Sequence, residues 1–149
     1  MDEQAYLKER VDDQIQWYDK RSTHNQGWYK SLRTTEIVLS ILIPFLAGLL
    51  TIDIVNKLII GFFGVIIAII AGVLSLYKFQ ENWLHYRTTS ETLKHEKYLF
   101  VTRSGIYDGE DRFSVFVEKI ENIISKENLN WYEYVKKDKT VVKEKKNVS

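Results

Sequence analysis

Two runs without a charged residue constrain this chain more than any other feature. Residues 37–52 (IVLSILIPFLAGLLTI) and 58–76 (LIIGFFGVIIAIIAGVLSL) are apolar on every helical face. At about 1.5 Å per residue, helices over these runs reach roughly 24 and 28 Å, close to the ~30 Å hydrocarbon core of a bilayer. The remaining residues are too polar to wrap two such helices in a soluble core. We therefore predict two membrane spans joined by a short loop over residues 53–57.

The basic residues predict the orientation of these spans. Of the 21 Lys and Arg residues, six precede the first run, one lies between the runs and fourteen follow the second. Because basic residues are retained on the cytoplasmic side, we expect a multi-pass protein of the cell membrane with both termini cytoplasmic. Aromatic residues suited to the membrane interface flank the spans: Trp28 and Tyr29 before them, and Tyr77, Phe79 and Trp83 after them.

The second span continues into a polar segment without a strong helix breaker. No Gly or Pro occurs between Gly72 and Gly105, so we expect one helix from the outer loop to about Arg103. The three poor helix formers at residues 88–90 are the predicted place for a kink. One heptad frame places Phe79, Trp83, Tyr86, Leu93 and Phe100 on a single stripe.

Two amphipathic segments could cover that stripe. Residues 1–22 carry Leu7, Val11, Ile15 and Tyr18 at helical spacing, and residues 111–127 carry six apolar residues in the same pattern. The predicted fold is all-α: a two-span transmembrane helical hairpin continuous with a cytoplasmic helical bundle. The predicted layout is one domain over 1–131, with a helix and lead-in at 1–36, the spans, and an extension at 77–131, then a basic, disordered tail at 132–149.

Enzyme chemistry has little support in the sequence. The chain has no cysteine, and no metalloprotease, serine-hydrolase or phosphate-binding glycine motif occurs. The three histidines stand in unrelated contexts, and the adjacent carboxylates of Asp12 and Asp13 would point in different directions on a helix. We expect no catalytic site, no metal, no cofactor and no nucleic acid polymer as partner.

A polar stripe in the first span is the main candidate for a pore lining. It consists of Glu36, Ser40, Pro44, Gly48 and Thr51, and Asp53 follows at the outer mouth. Since Pro44 has no amide hydrogen, the carbonyl of Ser40 needs another partner at mid-membrane. The stripe could be a docking face for the second span or a wetted pore face. Asp53 could cap the second span or form an acidic ring that favours cations.

Three further groups of residues are candidate sites. A stripe of small residues is suited to close helix packing, within the hairpin or between subunits: Gly61, Gly64, Ala68 and Gly72. An apolar stripe is suited to an oligomer or bundle interface: Phe79, Trp83, Tyr86 and Leu93. A charged pair, Glu81 and Arg87, could form an interhelical ion pair or act in gating.

Two blocks of sequence resemble a known family. "YLKERVDDQIQWYDKRS" at residues 6–22 carries Gln14, Trp17, Tyr18 and Asp19. "FQENWLHYRTTSETLKHEKYLFVTRSGIYDG" at residues 79–109 carries Glu81, Asn82, Trp83, Tyr86, Arg87, Glu91, Leu93, Glu96 and Gly105. Together with the spans, they are similar to a bacterial two-transmembrane-helix domain family of the SLATT superfamily, the SMODS- and SLOG-associating two-transmembrane effector domains, over residues 5–131.

The resemblance implies a pore-forming effector of conflict systems, triggered by a nucleotide-generating or nucleotide-sensing partner. We expect no fused sensor domain, and hence a trigger that is a separate molecule. A single hairpin cannot enclose water, and a pore therefore requires a homo-oligomer embedded in membrane lipid. We expect a homo-oligomeric pore or ion channel. The alternative is a membrane-anchored adaptor whose cytoplasmic bundle binds a partner protein.

Overall fold

A computed structural model describes residues 2–49 and 54–126, and every regular element in these ranges is a helix. The predicted all-α class is confirmed. The elements are α1 (Glu3–Tyr6), a π-helical turn (Leu7–Val11), α2 (Asp12–Leu49), α3 (Ile54–Tyr77), α4 (Phe79–Val101), a 3₁₀ turn (Gly105–Tyr107) and α5 (112–126). The first three follow one another directly, so the chain is helical from Glu3 through Leu49.

The helices form two compact units. The bundle unit contains residues 2–18 and 87–126, and the hairpin unit contains residues 19–49 and 54–86. Helix α2 contributes to both units, and so does α4. The bundle unit holds most of the fully buried side chains, whereas the hairpin unit holds most of the exposed apolar ones.

An aromatic core holds the bundle unit together. Phe100 of α4 and Phe116 of α5 are both fully buried, and their rings stack with centroids 4.1 Å apart. Tyr107 meets both rings edge-on. The predicted apolar faces contribute buried residues to this unit, namely Val11, Ile15, Tyr18, Leu93, Ile120 and Ile124. Burial of these side chains stabilises the unit by roughly 1.5–3 kcal/mol each.

Because of the π-helical turn, one residue of the predicted apolar face is not in the core. The spacing of apolar residues places Leu7 on the buried face with Val11, but Leu7 is half-buried and Tyr6 is buried instead. A π turn closes between residues five apart rather than four, so Tyr6 takes the position above Val11. The ring of Tyr6 then contacts Phe113 and Phe116 of α5 edge-on.

The second long helix is interrupted at Lys78, which corrects the prediction of an unbroken helix. Lys78 has a φ of 47°, in the left-handed region that costs residues other than glycine roughly 1–2 kcal/mol. Asn82 donates from Nδ2 to the carbonyl of Tyr77 at 3.1 Å, which satisfies an acceptor at the end of α3. Residues 88–90, the place predicted for a kink, lie within helix α4. Thr89 and Ser90 are buried in the bundle unit, where packing can stabilise residues of weak helix propensity.

Candidate functional site

The hairpin unit leaves its polar first-span residues on the outside. Ser40, Pro44 and Gly48 of α2 are exposed, whereas Glu36 is half-buried. Thr51 and Asp53 lie outside the described residues. Over residues 32–48 of α2, the half-buried positions other than Glu36 are leucines and an isoleucine, namely Leu32, Leu39, Leu42, Ile43 and Leu46. In the single chain, α2 thus turns an aliphatic face inward and leaves Ser40, Pro44 and Gly48 uncovered.

Local hydrogen bonds satisfy part of this polar face. The hydroxyl of Ser40 donates to the carbonyl of Glu36 at 2.7 Å, one helical turn back. The carboxylate of Glu36 accepts from Nη1 of Arg33 at 2.8 Å. Such back-bonding lets a hydroxyl lie in an apolar medium without losing its hydrogen bond. The oxygen of Ser40 keeps accepting capacity, so it can still meet water or an ion.

The stripe of small residues in α3 is also uncovered. Gly61, Gly64, Ala68 and Gly72 are all exposed. A Cβ atom added at any of the three glycines would meet nothing within 4 Å. The inward face of α3 is made instead of aliphatic and aromatic residues: Ile60, Phe63, Ile66, Ile67, Ile70, Val73 and Leu74. The close helix approach that small residues permit is therefore unused within the hairpin unit.

Five aromatic side chains lie where the apolar segments of the hairpin unit meet its polar segments. We call Trp28, Tyr29, Tyr77, Phe79 and Trp83 the aromatic collar. Trp28 lies nearly parallel to Phe79 with centroids 6.4 Å apart, and Tyr29 lies nearly parallel to Trp83 at 6.3 Å. Phe79 also stacks on Tyr77 at 5.5 Å. The rings of α2 that stack on Phe79 and Trp83 are thus Trp28 and Tyr29, which lie outside the segments 1–22 and 111–127 predicted to cover them. From residues 1–22, Ser22 donates from its hydroxyl to the carbonyl of Trp83 at 3.3 Å.

The other predicted interface residues divide between the units. Leu93 is fully buried in the bundle unit, so it serves the core of its own chain. Tyr86 is half-buried in the hairpin unit. Arg87 pairs with Glu91 of its own helix at 2.9 Å, whereas Glu81 lines a recess of the hairpin unit with Arg33 and Lys78.

The bundle unit contains a charged cluster that was not predicted from the sequence. Glu121 of α5 accepts from Nε and Nη2 of Arg10 at 3.0 and 2.9 Å, and from the hydroxyl of Tyr6 at 3.0 Å. The Arg10 hydrogen bonds hold the pKa of Glu121 below its usual range, against the opposing effect of burial. Burial, followed by the hydrogen bond to Glu121, raises the pKa of Tyr6 above its usual range. The cluster fixes α5 against the π turn.

Removing the charge of Glu121 should weaken the bundle unit. We expect Glu121→Gln to cost about 1 kcal/mol at neutral pH, since solvent screens this half-exposed pair. Because the folded-state pKa is lowered, the stabilisation is present above the ordinary pKa of about 4.3 and is lost as the pH falls through the folded value. Thermal unfolding measured by circular dichroism from pH 7 to pH 3 tests both points.

Glu118 provides the matched control, because it is exposed and lies one turn earlier on the same helix. Glu118→Gln should leave the melting temperature nearly unchanged. An equal loss in both variants, or an unaltered acid dependence in Glu121→Gln, would show that the cluster does not contribute.

Two helical stretches of the described chain, Glu3–Gly48 and Ile54–Val101, are long and apolar enough to cross a membrane. Each stretch qualifies through an apolar segment of 18 residues, of which none is buried in the first and 6% are buried in the second. The core helices of a soluble protein are instead mostly buried. The units thus define an all-α protein with two exposed, span-length apolar helices.

A protein-family model matches most of the chain. The chain belongs to the DUF4231 family, described as proteins of unknown function, whose model matches residues 13–114. No curated protein and no solved structure matches the chain.

Proposed function

We propose that the chain inserts into the cell membrane as a two-span hairpin with both termini cytoplasmic. Exposed apolar surface on both long helices supports insertion, since lipid is the solvent that favours it. The aromatic collar adds support, because tryptophan and tyrosine favour the membrane interface. The concentration of basic residues before and after the spans supports the orientation.

Cysteine labelling can test this topology, because the wild-type chain has no cysteine. Lys20 and Lys57 are both exposed and lie on opposite sides of the proposed first span. In intact cells, an impermeant maleimide should label Lys57→Cys and leave Lys20→Cys unlabelled. After the cells are broken, both variants should react, which controls for the reactivity of each site. Labelling of Lys20→Cys in intact cells would contradict the orientation.

We infer further that several copies assemble into a pore or ion channel. The observation that carries this proposal is the exposure of Ser40, Pro44, Gly48 and the small-residue stripe of α3 on the outside of the hairpin unit. Small residues facing another copy would allow close helix contact, and the polar face of α2 turned toward a shared axis would meet water. The resemblance to SLATT effector domains supports a pore opened by a separate molecule, such as a nucleotide signal or a sensor protein.

Reconstitution tests the pore directly. Purified protein in liposomes should release an encapsulated small-ion indicator, whereas protein-free liposomes should retain it. Cyclic and linear nucleotides added one at a time test whether a nucleotide serves as the trigger. Ion release unaffected by protein under every condition would contradict the pore and leave the adaptor function as the better explanation.

One observation favours the adaptor as a second candidate. In the bundle unit, Tyr98, Val101 and Ile106 are exposed by 57–70%. Tyr98 and Val101 are three residues apart and share a face of α4. Exposed apolar groups on a cytoplasmic unit suit a protein partner. Crosslinking of cells with a photoreactive group at residue 98, followed by mass spectrometry, would identify such a partner, with the exposed residue 118 as the control position.

A further inference from the structure

A recess of the hairpin unit lies beside the aromatic collar. It has a volume of about 420 Å³, within the roughly 300–1,000 Å³ typical of small-ligand sites. Tyr29 and Arg33 of α2 line one side, and Ser75 of α3, Lys78 and Glu81 line the other. The apolar run of the second span ends at residue 76, so the recess lies at the level where a membrane's head groups would be.

Two cations line this recess. Arg33 is half-exposed and, among the described residues, donates only through Nη1, to Glu36. A guanidinium has five N–H donors, so Arg33 keeps donors that can bind a phosphate oxygen. Lys78 adds a second positive charge, because the break between α3 and α4 brings it to the recess. Two cations at head-group depth are suited to the phosphate of a phospholipid.

An acidic group lines the same recess and restricts which phospholipid fits. The carboxylate of Glu81 would repel a head group that carries only negative charge. A head group with an ammonium next to its phosphate would complement all three charges. A primary ammonium donates hydrogen bonds to a carboxylate, which a quaternary ammonium cannot do.

We propose that the recess binds the phosphoethanolamine head group of an aminophospholipid. Arg33 and Lys78 hold the phosphate, and Glu81 accepts from the ammonium. Leu74 lines the recess at the end of the apolar run and contacts the lipid near its glycerol. The proposal rests on membrane insertion of the hairpin unit.

Lipid retention measures the proposed selectivity. The purified protein is placed in nanodiscs with equal amounts of phosphatidylethanolamine, phosphatidylcholine and phosphatidylglycerol, and retained lipids are identified by native mass spectrometry. We expect retained phosphatidylethanolamine to exceed each of the others by about fivefold. This preference is somewhat smaller than one charge-assisted hydrogen bond would give in a closed site, because the recess is open to solvent. Glu81→Gln should abolish the preference over phosphatidylcholine while phospholipid is still retained. Arg33→Gln should lower retention of all three lipids.

Lys30→Gln is the matched control. It removes the same charge as Arg33→Gln from the same helix, but the ammonium of Lys30 lies over the ring of Trp83 and does not line the recess. Helix content measured by circular dichroism and flotation with liposomes verify that each variant folds and inserts. Equal retention of the three lipids by inserted wild-type protein, or an equal effect of Lys30→Gln and Arg33→Gln, would overturn the proposal. A wild-type protein that fails to float would instead contradict membrane insertion itself.

Discussion

Replacing Phe100 with alanine is expected to cost the bundle unit about 3–5 kcal/mol, because it removes a fully buried ring and leaves a cavity. Phe100 stacks on Phe116 and meets Tyr107 edge-on, so three elements lose contacts together. Since small domains are stable by only about 5–15 kcal/mol, this loss is a large share of the total and should lower the melting temperature of the bundle unit markedly. Thermal unfolding followed by near-ultraviolet circular dichroism would report the loss of aromatic packing.

Tyr98 offers a matched control, since it lies two residues earlier on α4 and is 70% exposed. Tyr98→Ala should shift the melting temperature only slightly. Limited proteolysis of Phe100→Ala should cut within residues 87–126 and spare the hairpin unit. Equal melting temperatures for the two variants would contradict the core position of Phe100.

Leucine at Ser40 or Gly48 is expected to lower ion flux by about tenfold or more, because an apolar side chain in a polar constriction favours its dewetting. Both residues are exposed, and a Cβ atom at Gly48 meets nothing within 4 Å, so neither change should disturb the hairpin unit. Flux is measured on liposomes that contain equal amounts of reconstituted protein, and oligomer size is measured by light scattering.

Ile41→Leu is the control for these variants, because Ile41 is 64% exposed and is apolar already. It should conduct like the wild type. Asp53→Asn should reduce any preference for cations if the acidic ring forms at the outer mouth. Wild-type flux that persists in both leucine variants would exclude the first span as the pore lining.

Periodicity was sufficient to predict most of the bundle core. Val11, Ile15, Tyr18, Phe116 and Ile120 lie on the faces that helical spacing selects, and all are buried. This succeeds because an amphipathic helix has few ways to bury its apolar face. Helix propensity alone marks residues 88–90 as the weakest part of α4, yet they are helical. Thr89 and Ser90 are buried there, and packing of this kind can stabilise residues of low helix propensity.

Other features had no counterpart in the spacing of residues. A left-handed residue at a helix end is usually glycine or asparagine, so Lys78 gave no indication of the break. Asn82, four residues later, is the one side chain whose capping ability could have suggested it. The cluster around Glu121 joins residues 111 and more positions apart, and pairings of that kind depend on the tertiary fold.

The candidate site was predicted in composition but not in orientation. The sequence identified Ser40, Pro44 and Gly48, and left open whether they face the second span. Because both spans are apolar on every side, hydropathy does not indicate which face of each helix packs inward. Within the chain, Leu39, Leu42, Ile43 and Leu46 lie on the half-buried face of α2. Ser40 and Gly48 are exposed, together with Ile37, Ile41 and Phe45.

The π turn at Leu7–Val11 takes up one residue more than a regular α-helical turn would. If this segment wound as a regular α-helix at its present length, everything before it would rotate by about 100° around the axis. Glu3 would then turn away from Arg112, to which it is bound at 2.9 Å, and Tyr6 would leave the core. Deleting one residue from the turn would allow a regular α-helix that keeps Tyr6 on the buried face, so this segment should tolerate a one-residue deletion better than a one-residue insertion.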